Sequence, residues 1–426
     1  MSFLFVCLFS MKKLFLLSSI VFVLVTSDGT TQSSFVLVLL NVLIKVSNSR
    51  EIVNFDFSWR HRLGEGGGGG GGGVDIPREA SIEFDDSGWQ LVDCPHDMLI
   101  AQPFDSNESE KQAFLPRNSG WYRKHFHVPE DWRNSSVWIY VEGSFHVTTA
   151  WLNGNLIEST PHKQGYTSFR LRLDTISNIT YSSSESNVLA LFVNASTGTG
   201  WWYEGGGLIR HQKIVRANHL HIAQDGVFVR SESIDIQNKK ANLIVTIEIE
   251  DHRNNDDCEN DNLVLSARVT LLNRENSIVE TKVIHTTTSH VFDDVIFSLS
   301  DVSFWSVQDP YLYSIQVELL LENVDDSIDR VEIQNVGIRS IRFDADSGLF
   351  INERQVKLRG FCDHSNFGGI GAAVPDRVNL FRAQMLRSIG ANSWRVRVVD
   401  AISLSLSLSY HPCGIHTYIQ THTDGT

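Results

Sequence analysis

The amino-acid sequence predicts a mostly β protein in which two successive β-sandwiches are followed by the beginning of an α/β domain. Three observations support this prediction. Apolar residues recur at every second position through much of residues 51–340, turn signals separate these short runs, and a strand–helix–strand pattern follows Phe343. Many short strands with hardly any helical periodicity are typical of sandwiches.

The first series of strands covers residues 51–222. Residues 137–141 alternate in hydrophobicity, and residues 148–152 lead into Asn153-Gly154 and then into residues 155–157. Asn-Gly between two apolar runs predicts a tight hairpin, because both residues tolerate the positive φ of a type I′ turn. Further strands are predicted at residues 168–173, 188–193 and 227–229.

A second series is predicted over residues 223–341, after a boundary near the polar segment 223–226. Its alternation is clearest at two groups of apolar positions, separated by polar partners. These positions are Leu243, Val245, Ile247 and Ile249, and then Tyr313, Ile315, Val317 and Leu319. Two series separated by a turn-rich boundary indicate two sandwiches.

The pattern changes in residues 342–396. Residues 356–360 are predicted as a strand, and Pro375-Asp376 opens a helix that Gly390 ends. Four apolar residues share one face of this helix: Val378, Phe381, Met385 and Ile389. A second strand is predicted from Asn392. This is the first βαβ unit of an α/β domain, and a (β/α)8 barrel needs about 250 residues, so the predicted barrel is cut short.

Residues 397–426 are predicted to be an aberrant tail. Alternating Ser and Leu over residues 403–409 is of low complexity, and no capped helix or clear strand follows. The favoured interpretation is an error in the gene model, such as a retained intron or a frameshift. A genuinely truncated protein is the alternative.

The composition excludes several classes of function. The chain has 426 residues, of which 42% are hydrophobic and 20% charged, as in globular proteins. Its 36 basic and 50 acidic residues give a net charge of −14, so no nucleic-acid partner is expected. The five cysteines form no CxxC pair, and neither a metal site nor a cofactor is predicted from them.

The N-terminus predicts export. Lys12 and Lys13 precede the apolar residues 14–25, and a small polar stretch follows, so residues 1–27 are predicted to be a signal peptide or hydrophobic leader. We therefore expect a secreted protein or one in the secretory pathway. A membrane anchor is the less favoured alternative, because Asn41 and Lys45 interrupt the second apolar run. Four N-x-S/T sequons are compatible with export without arguing for it: Asn107, Asn134, Asn178 and Asn194.

A series of short motifs occurs in order along residues 51–396. They are Phe84-Asp85-Asp86-Ser87-Gly88-Trp89, Cys94-Pro95-His96-Asp97, Gly120-Trp121-Tyr122-Arg123-Lys124-His125-Phe126, Trp151-Leu152-Asn153-Gly154, Gly165-Tyr166-Thr167-Ser168-Phe169, residues 201–210, Phe304-Trp305-Ser306 with Asp309-Pro310-Tyr311-Leu312-Tyr313, Leu358-Arg359-Gly360-Phe361-Cys362-Asp363-His364, and Gly390-Ala391-Asn392-Ser393-Trp394-Arg395. Each motif is weak alone, but the ordered series resembles glycoside hydrolase family 2, the β-galactosidase and β-glucuronidase group.

The resemblance implies a jelly-roll sugar-binding domain at residues 51–222, an immunoglobulin-like sandwich at residues 223–341 and the start of a (β/α)8 barrel. It also implies a retaining β-glycosidase of carbohydrate metabolism, most like a β-galactosidase, that hydrolyses O-glycosyl bonds at terminal β-linked sugars. A carbohydrate substrate and possible homo-oligomerisation follow from the same resemblance. Relatives can use a divalent cation, whose ligands are not in this chain. A non-catalytic carbohydrate-binding or structural β-sandwich protein is the alternative.

No catalytic residue of the family is matched. Retaining glycosidases use two carboxyl groups about 5–5.5 Å apart, which in this family are glutamates on later barrel strands. The last glutamate of the chain is Glu353, before the predicted barrel. The chain as printed is therefore predicted to be inactive.

Three substrate-binding residues are implied by their positions in the family motifs: Asn194, His364 and Arg395. His364 follows the first barrel strand and would meet sugar hydroxyls, although a loop histidine without a partner is the alternative. Arg395 would orient groups in the pocket, or else form a structural ion pair. Asn194 replaces an aspartate common among relatives, and a glycan on its sequon would fill the same pocket. Trp201, Trp202 and Tyr203 are interpreted as packing residues rather than as a sugar platform.

Overall fold

The structure is a computed structural model that describes residues 50–64, 76–158, 161–198, 200, 202–253, 265–286, 292–321 and 327–397. The predicted leader and nearly all of the predicted tail lie outside these residues, as does Trp201. The described part is mostly β. Within it, no helix has both the length and the hydropathy required to span a membrane.

Ten strands form the first pair of sheets. They are β1 (Glu51–Asn54), β2 (Trp59–Leu63), β3 (Gln90–Val92), β4 (Ser119–Val128), β5 (Ser136–Val141), β6 (Val147–Leu152), β7 (Asn155–Leu156), β8 (Phe169–Arg172), β9 (Ser182–Asn194) and β10 (Gln212–Ala217). Their antiparallel orders are β1-β10-β5-β8 and β3-β2-β4-β9-β6-β7. Asn153 and Gly154 both have positive φ between β6 and β7, which confirms the predicted hairpin.

The two sheets share one hydrophobic core. Ile139 of one sheet and Tyr122 of the other belong to the same buried cluster. Strand β9 is buried on both faces, because Leu191 contributes to this core while Phe192 packs in a second cluster with Trp121. This two-sided burial explains why residues 188–193 form a continuous apolar run rather than an alternating one.

Seven further strands form the second pair of sheets. They are β11 (Leu220–Asp235), β12 (Lys240–Asp251), β13 (Leu265–Leu272), β14 (Ile278–Thr286), β15 (Val295–Ser300), β16 (Tyr313–Leu321) and β17 (Ser327–Val336). The sheet orders are β11-β12-β15 and β14-β13-β16-β17. The predicted inward positions Leu243, Val245, Ile315 and Val317 are all buried in their shared core.

The predicted boundary near residues 223–226 falls at a bulge inside β11. The register of β11 against β12 shifts between Ile222 and Val227, and pairing resumes on both sides. Leu220 and Ile222 already pack in the second core, so the second pair of sheets begins at Leu220. The polar residues mark a local irregularity of one strand because a bulge, like a turn, interrupts the hydrogen-bonded ladder.

The last elements are a small meander and a parallel strand pair. They are β18 (Ile341–Asp344), β19 (Gly348–Ile351), β20 (Arg354–Gln355), β21 (Gly360–His364), α1 (Asp376–Ser388) and β22 (Ser393–Arg397). Strands β21 and β22 pair in parallel across α1, as expected for a βαβ unit.

One expectation about this unit was wrong in detail. Residues 356–359 are not a strand, because β21 begins only at Gly360. The apolar face predicted for α1 is uncovered, since Phe381, Met385 and Ile389 are 49–64% exposed. The helix instead buries Asn379 and Ala383. Periodicity revealed that the helix is amphipathic, but it cannot tell whether a partner covers its apolar side.

Candidate functional site

His364 lies at the end of β21, with its ring against Trp202. The two ring centroids are 4.9 Å apart and the planes meet edge to face at 78°. The side chain is half-buried, and its Nδ1 is buried without a hydrogen-bond partner among the described residues. Buried polar atoms are nearly always paired, so an unpaired imidazole nitrogen beside an indole is suited to a ligand hydroxyl.

The segment that carries Trp202 joins the first pair of sheets to the βαβ unit. Gln112 donates a hydrogen bond to the Trp202 carbonyl, and Asn366 donates to the Tyr203 carbonyl at 2.8 Å. The Tyr203 hydroxyl donates to Asp97 Oδ2 at 2.8 Å. Tyr203 is therefore a packing and joining residue, as the sequence analysis expected.

Asp97 connects three segments from a buried position. Its carboxylate accepts hydrogen bonds from the Leu99 and Ala372 amides at 3.0 and 2.8 Å, from the Gly206 amide at 3.3 Å and from the Tyr203 hydroxyl. Burial raises the pKa of the Asp97 carboxyl, and these donors oppose that rise. With four donors converging on it, the Asp97 carboxylate ties the βαβ unit to the first pair of sheets.

Asn194 lies at the end of β9 in a neighbouring segment. Its Oδ1 accepts hydrogen bonds from the Ser119 hydroxyl at 3.1 Å and from the Ser196 amide and hydroxyl at 3.0 and 2.6 Å. Among the described residues no contact joins Asn194 to His364. Near Asn194, the guanidinium of Arg117 lies 3.7 Å from the buried carboxylate of Glu204.

Arg117 passes directly over Gly198 in this loop, so a larger residue there would displace the Arg117 side chain. A Cβ atom on Gly198 would lie 1.3 Å from Arg117 Nη1, far inside van der Waals contact. Arg117 therefore lies against both Gly198 in the loop after β9 and Glu204, which follows Trp202 by two positions.

Arg395 lies on β22 beside Cys362 in the parallel register, and its side chain is exposed. The cation nearest to the β21 carboxylate is instead Arg382 of α1, 3.3 Å from Asp363. The same guanidinium stacks over the Phe367 ring at 4.9 Å. Arg395 stays a predicted site residue without a described partner.

Glu353 has the surroundings of a surface residue. It lies in the exposed turn between β19 and β20, where its carboxylate is 3.6 Å from Arg342.

Sequence reasoning missed Asp97, Arg117, Glu204, Asn366 and Arg382. Asp97 and Glu204 fall within quoted motifs, and Arg382 lies on the predicted helix. Their roles, like those of Arg117 and Asn366, depend on contacts with residues up to 163 positions away.

Comparison with known proteins gives a consistent set of relatives. Residues 220–339 match the family model of Glycosyl hydrolases family 2. The beta-galactosidase BoGH2A of Bacteroides ovatus is 28% identical over 353 residues, which are 81% of this chain and 38% of that protein. A beta-galactosidase of Thermoanaerobacter pseudethanolicus is 27% identical over 354 residues, 80% of this chain and 43% of that protein.

The solved structures agree with these relatives. A beta-glycosidase from Bacteroides vulgatus superimposes with a TM-score of 0.71 at 27% identity, covering 86% of this chain and 44% of the other. This chain therefore spans less than half the length of each of these three relatives.

Proposed function

We propose that this chain belongs to glycosyl hydrolases family 2, whose model matches residues 220–339, and that it is the sugar-binding front part of a retaining β-glycosidase of the β-galactosidase type. In this proposal the first pair of sheets is a jelly roll, and the second pair is an immunoglobulin-like sandwich. The β21–α1–β22 unit is the first part of a (β/α)8 barrel. The order of the sheets, the parallel pairing of β21 and β22 and the exposed apolar face of α1 all support this arrangement.

The observation that carries the proposal is the position of His364. In (β/α)8 barrels the active site lies at the C-terminal ends of the strands, and His364 is the last residue of β21. Its unpaired Nδ1 and the adjacent Trp202 ring combine a hydrogen-bonding atom with an apolar face. Sugars present the same combination, with hydroxyl groups at the ring edge and C–H groups on the ring face.

Asn194 and Arg395 complete the proposed substrate side. The Asn194 carbonyl oxygen is already occupied by Ser119 and Ser196, so its amide group is the part available to a sugar hydroxyl. The exposed Arg395 guanidinium can reach a ligand only if the substrate lies over the β22 end of the sheet. We expect His364 to contribute most, because it alone is half-buried against an aromatic ring and has an unpaired polar atom.

Sugar binding by the intact chain tests the proposal. Saturation-transfer difference NMR with methyl β-D-galactoside should give signals that free galactose competes away. His364→Ala should abolish these signals, whereas His285→Ala, an exposed histidine on β14, should leave them unchanged. Equal signals in both variants, or none in the wild-type protein, would refute the proposed pocket. The same experiment with methyl β-D-glucuronide distinguishes a galactoside site from a glucuronide site.

We also propose that the protein enters the secretory pathway. Asn107, Asn134 and Asn178 are exposed, whereas Asn194 is half-buried and engaged by its own sequon residue Ser196. Expression in a glycosylating host, followed by peptide mass spectrometry, should show glycans on exposed sequons and none on Asn194. Full occupancy at Asn194 in a sugar-binding protein would remove it from the site, and a wholly unglycosylated product would argue against export.

A further inference from the structure

Away from the proposed sugar site, two histidines and a glutamate converge on neighbouring strands. His221 of β11 lies opposite Glu250 of β12 in the antiparallel register, and His252 follows two residues after Glu250. His221 Nε2 is 3.5 Å and His252 Nε2 3.1 Å from Glu250 Oε2. One ligand atom from each residue lies within 4.8 Å of the others.

His221 is held in a single orientation. Its ring stacks on Trp138 with centroids 5.3 Å apart and an interplanar angle of 21°, and its side chain is 1% exposed. Nδ1 is 2.7 Å from the Asn218 carbonyl oxygen, which can only accept a hydrogen bond. Nδ1 must therefore carry the proton, and in the neutral ring Nε2 presents a lone pair.

That lone pair faces a carboxylate. Nε2 of His221 is buried and has no hydrogen-bond partner among the described residues, although Glu250 Oε2 lies 3.5 Å away. A nitrogen lone pair and a carboxylate oxygen repel each other unless a proton or a metal cation lies between them. Metal-ligating histidines usually donate their other ring N–H to a carboxylate or a backbone carbonyl, as Nδ1 of His221 does to Asn218.

The distances suit a small divalent cation. Ligand atoms 2.0–2.1 Å from a tetrahedral zinc are about 3.3 Å apart. The two measured separations from Glu250 Oε2, 3.5 and 3.1 Å, bracket that value. Two imidazoles and one carboxylate are also a donor set that zinc uses in proteins, with a fourth position left to water.

Glu250 also has a hydrogen-bond donor from the first pair of sheets. Arg170 Nη1 donates to Glu250 Oε2 at 2.7 Å, as outer-shell donors often do to ligating carboxylates. The two imidazole nitrogens and this guanidinium all face the same carboxylate oxygen.

We propose that His221, Glu250 and His252 form a binding site for a divalent transition-metal ion of the zinc class. The site spans β11 and β12 and, through Arg170 of β8, joins the second pair of sheets to the first. It is distinct from the His364 pocket and does not depend on the proposed glycosidase function. Its role is structural, because the ion cross-links strands whose ends meet at the junction of the two pairs of sheets.

Metal titration of the intact, untagged chain tests this proposal. After treatment with EDTA and dialysis, Co²⁺ should bind with one equivalent per chain and give the visible absorption of a tetrahedral site, and Zn²⁺ should displace it. At a Zn²⁺ concentration 100 times Kd, Tm should rise by about 5 °C.

A matched pair of variants locates the ion. His252→Gln should weaken Zn²⁺ binding at least tenfold and remove the Tm shift, whereas His285→Gln should change neither. Metal-free melting of both variants checks that each still folds. Absence of stoichiometric binding in the wild-type chain, or equal binding by wild type and His252→Gln, would overturn the assignment and leave the triad as an ion-pair cluster with Arg170.

Discussion

Replacing Arg123 by methionine should strongly destabilise the protein. Arg123 lies on β4, its side chain is fully buried, and its Nε donates to Asp86 Oδ2 at 2.8 Å. Its other nitrogens donate to the carbonyls of Glu79, Ser81 and Phe84. The residue thus binds together the segment that precedes β3 and the centre of the six-stranded sheet.

The size of the effect follows from what the substitution leaves behind. Methionine preserves most of the side-chain volume. The main loss of stability therefore comes from the buried Asp86 carboxylate and the three backbone carbonyls, which no longer have the arginine as a hydrogen-bond donor. Removing one member of a buried ion pair costs about 3–5 kcal/mol. His125, 2.8 Å from the same Asp86 oxygen, can compensate in part, so we expect a loss of about 3 kcal/mol and a fall in Tm of about 5 °C.

Urea denaturation followed by tryptophan fluorescence measures the loss, since Trp121 and Trp151 are buried in the adjacent cluster. Arg133→Met is the matched control, because its ion pair with Glu130 is exposed and should contribute less than about 1 kcal/mol. Asp86→Asn should lower the free energy of unfolding less in the Arg123→Met protein than in the wild-type protein. Equal stability of the Arg123→Met and Arg133→Met proteins would refute the reasoning.

Three further predictions concern the βαβ unit and catalysis. Asp97→Asn presents an amide group to hydrogen-bond donors, so it should lower the free energy of unfolding by about 1–3 kcal/mol and speed proteolysis within residues 365–375, measured against the Glu353→Gln control. Hydrogen bonds to Asp376 and then to Asp56 raise the pKa of His211 from 6.5 to about 10. Stability from this histidine is therefore complete below pH 6.5 and lost as the pH rises towards 10, and His211→Gln should flatten that part of a Tm–pH profile. Finally, the 426-residue chain should not hydrolyse nitrophenyl β-galactoside; turnover that survives Glu353→Gln would show that other carboxyl groups act.

The site was only partly predictable from the sequence. The Leu358–His364 motif predicted His364 as a site residue. The contact between His364 and Trp202 was not predictable, because these residues are 162 positions apart and their contact leaves no periodic signal in the sequence. The metal-ligand triad was missed for a similar reason. Glu250 and His252 share one face of a strand and are visible as a Glu-x-His pair, whereas His221 reaches them only through the pairing of β11 with β12.

The sequence by itself indicated several of the strands, the turn of the 153–154 hairpin and the start of α1. These features depend on neighbouring residues, through alternation, turn chemistry and the proline before Asp376. Tertiary structure alone decided that residues 223–226 bulge within a continuous strand, that the apolar face of α1 stays exposed, and that Asp97 joins three distant segments. Each of these depends on what lies across from a residue in space, and a buried polar group or an uncovered apolar face is defined by its partners rather than by its place in the chain.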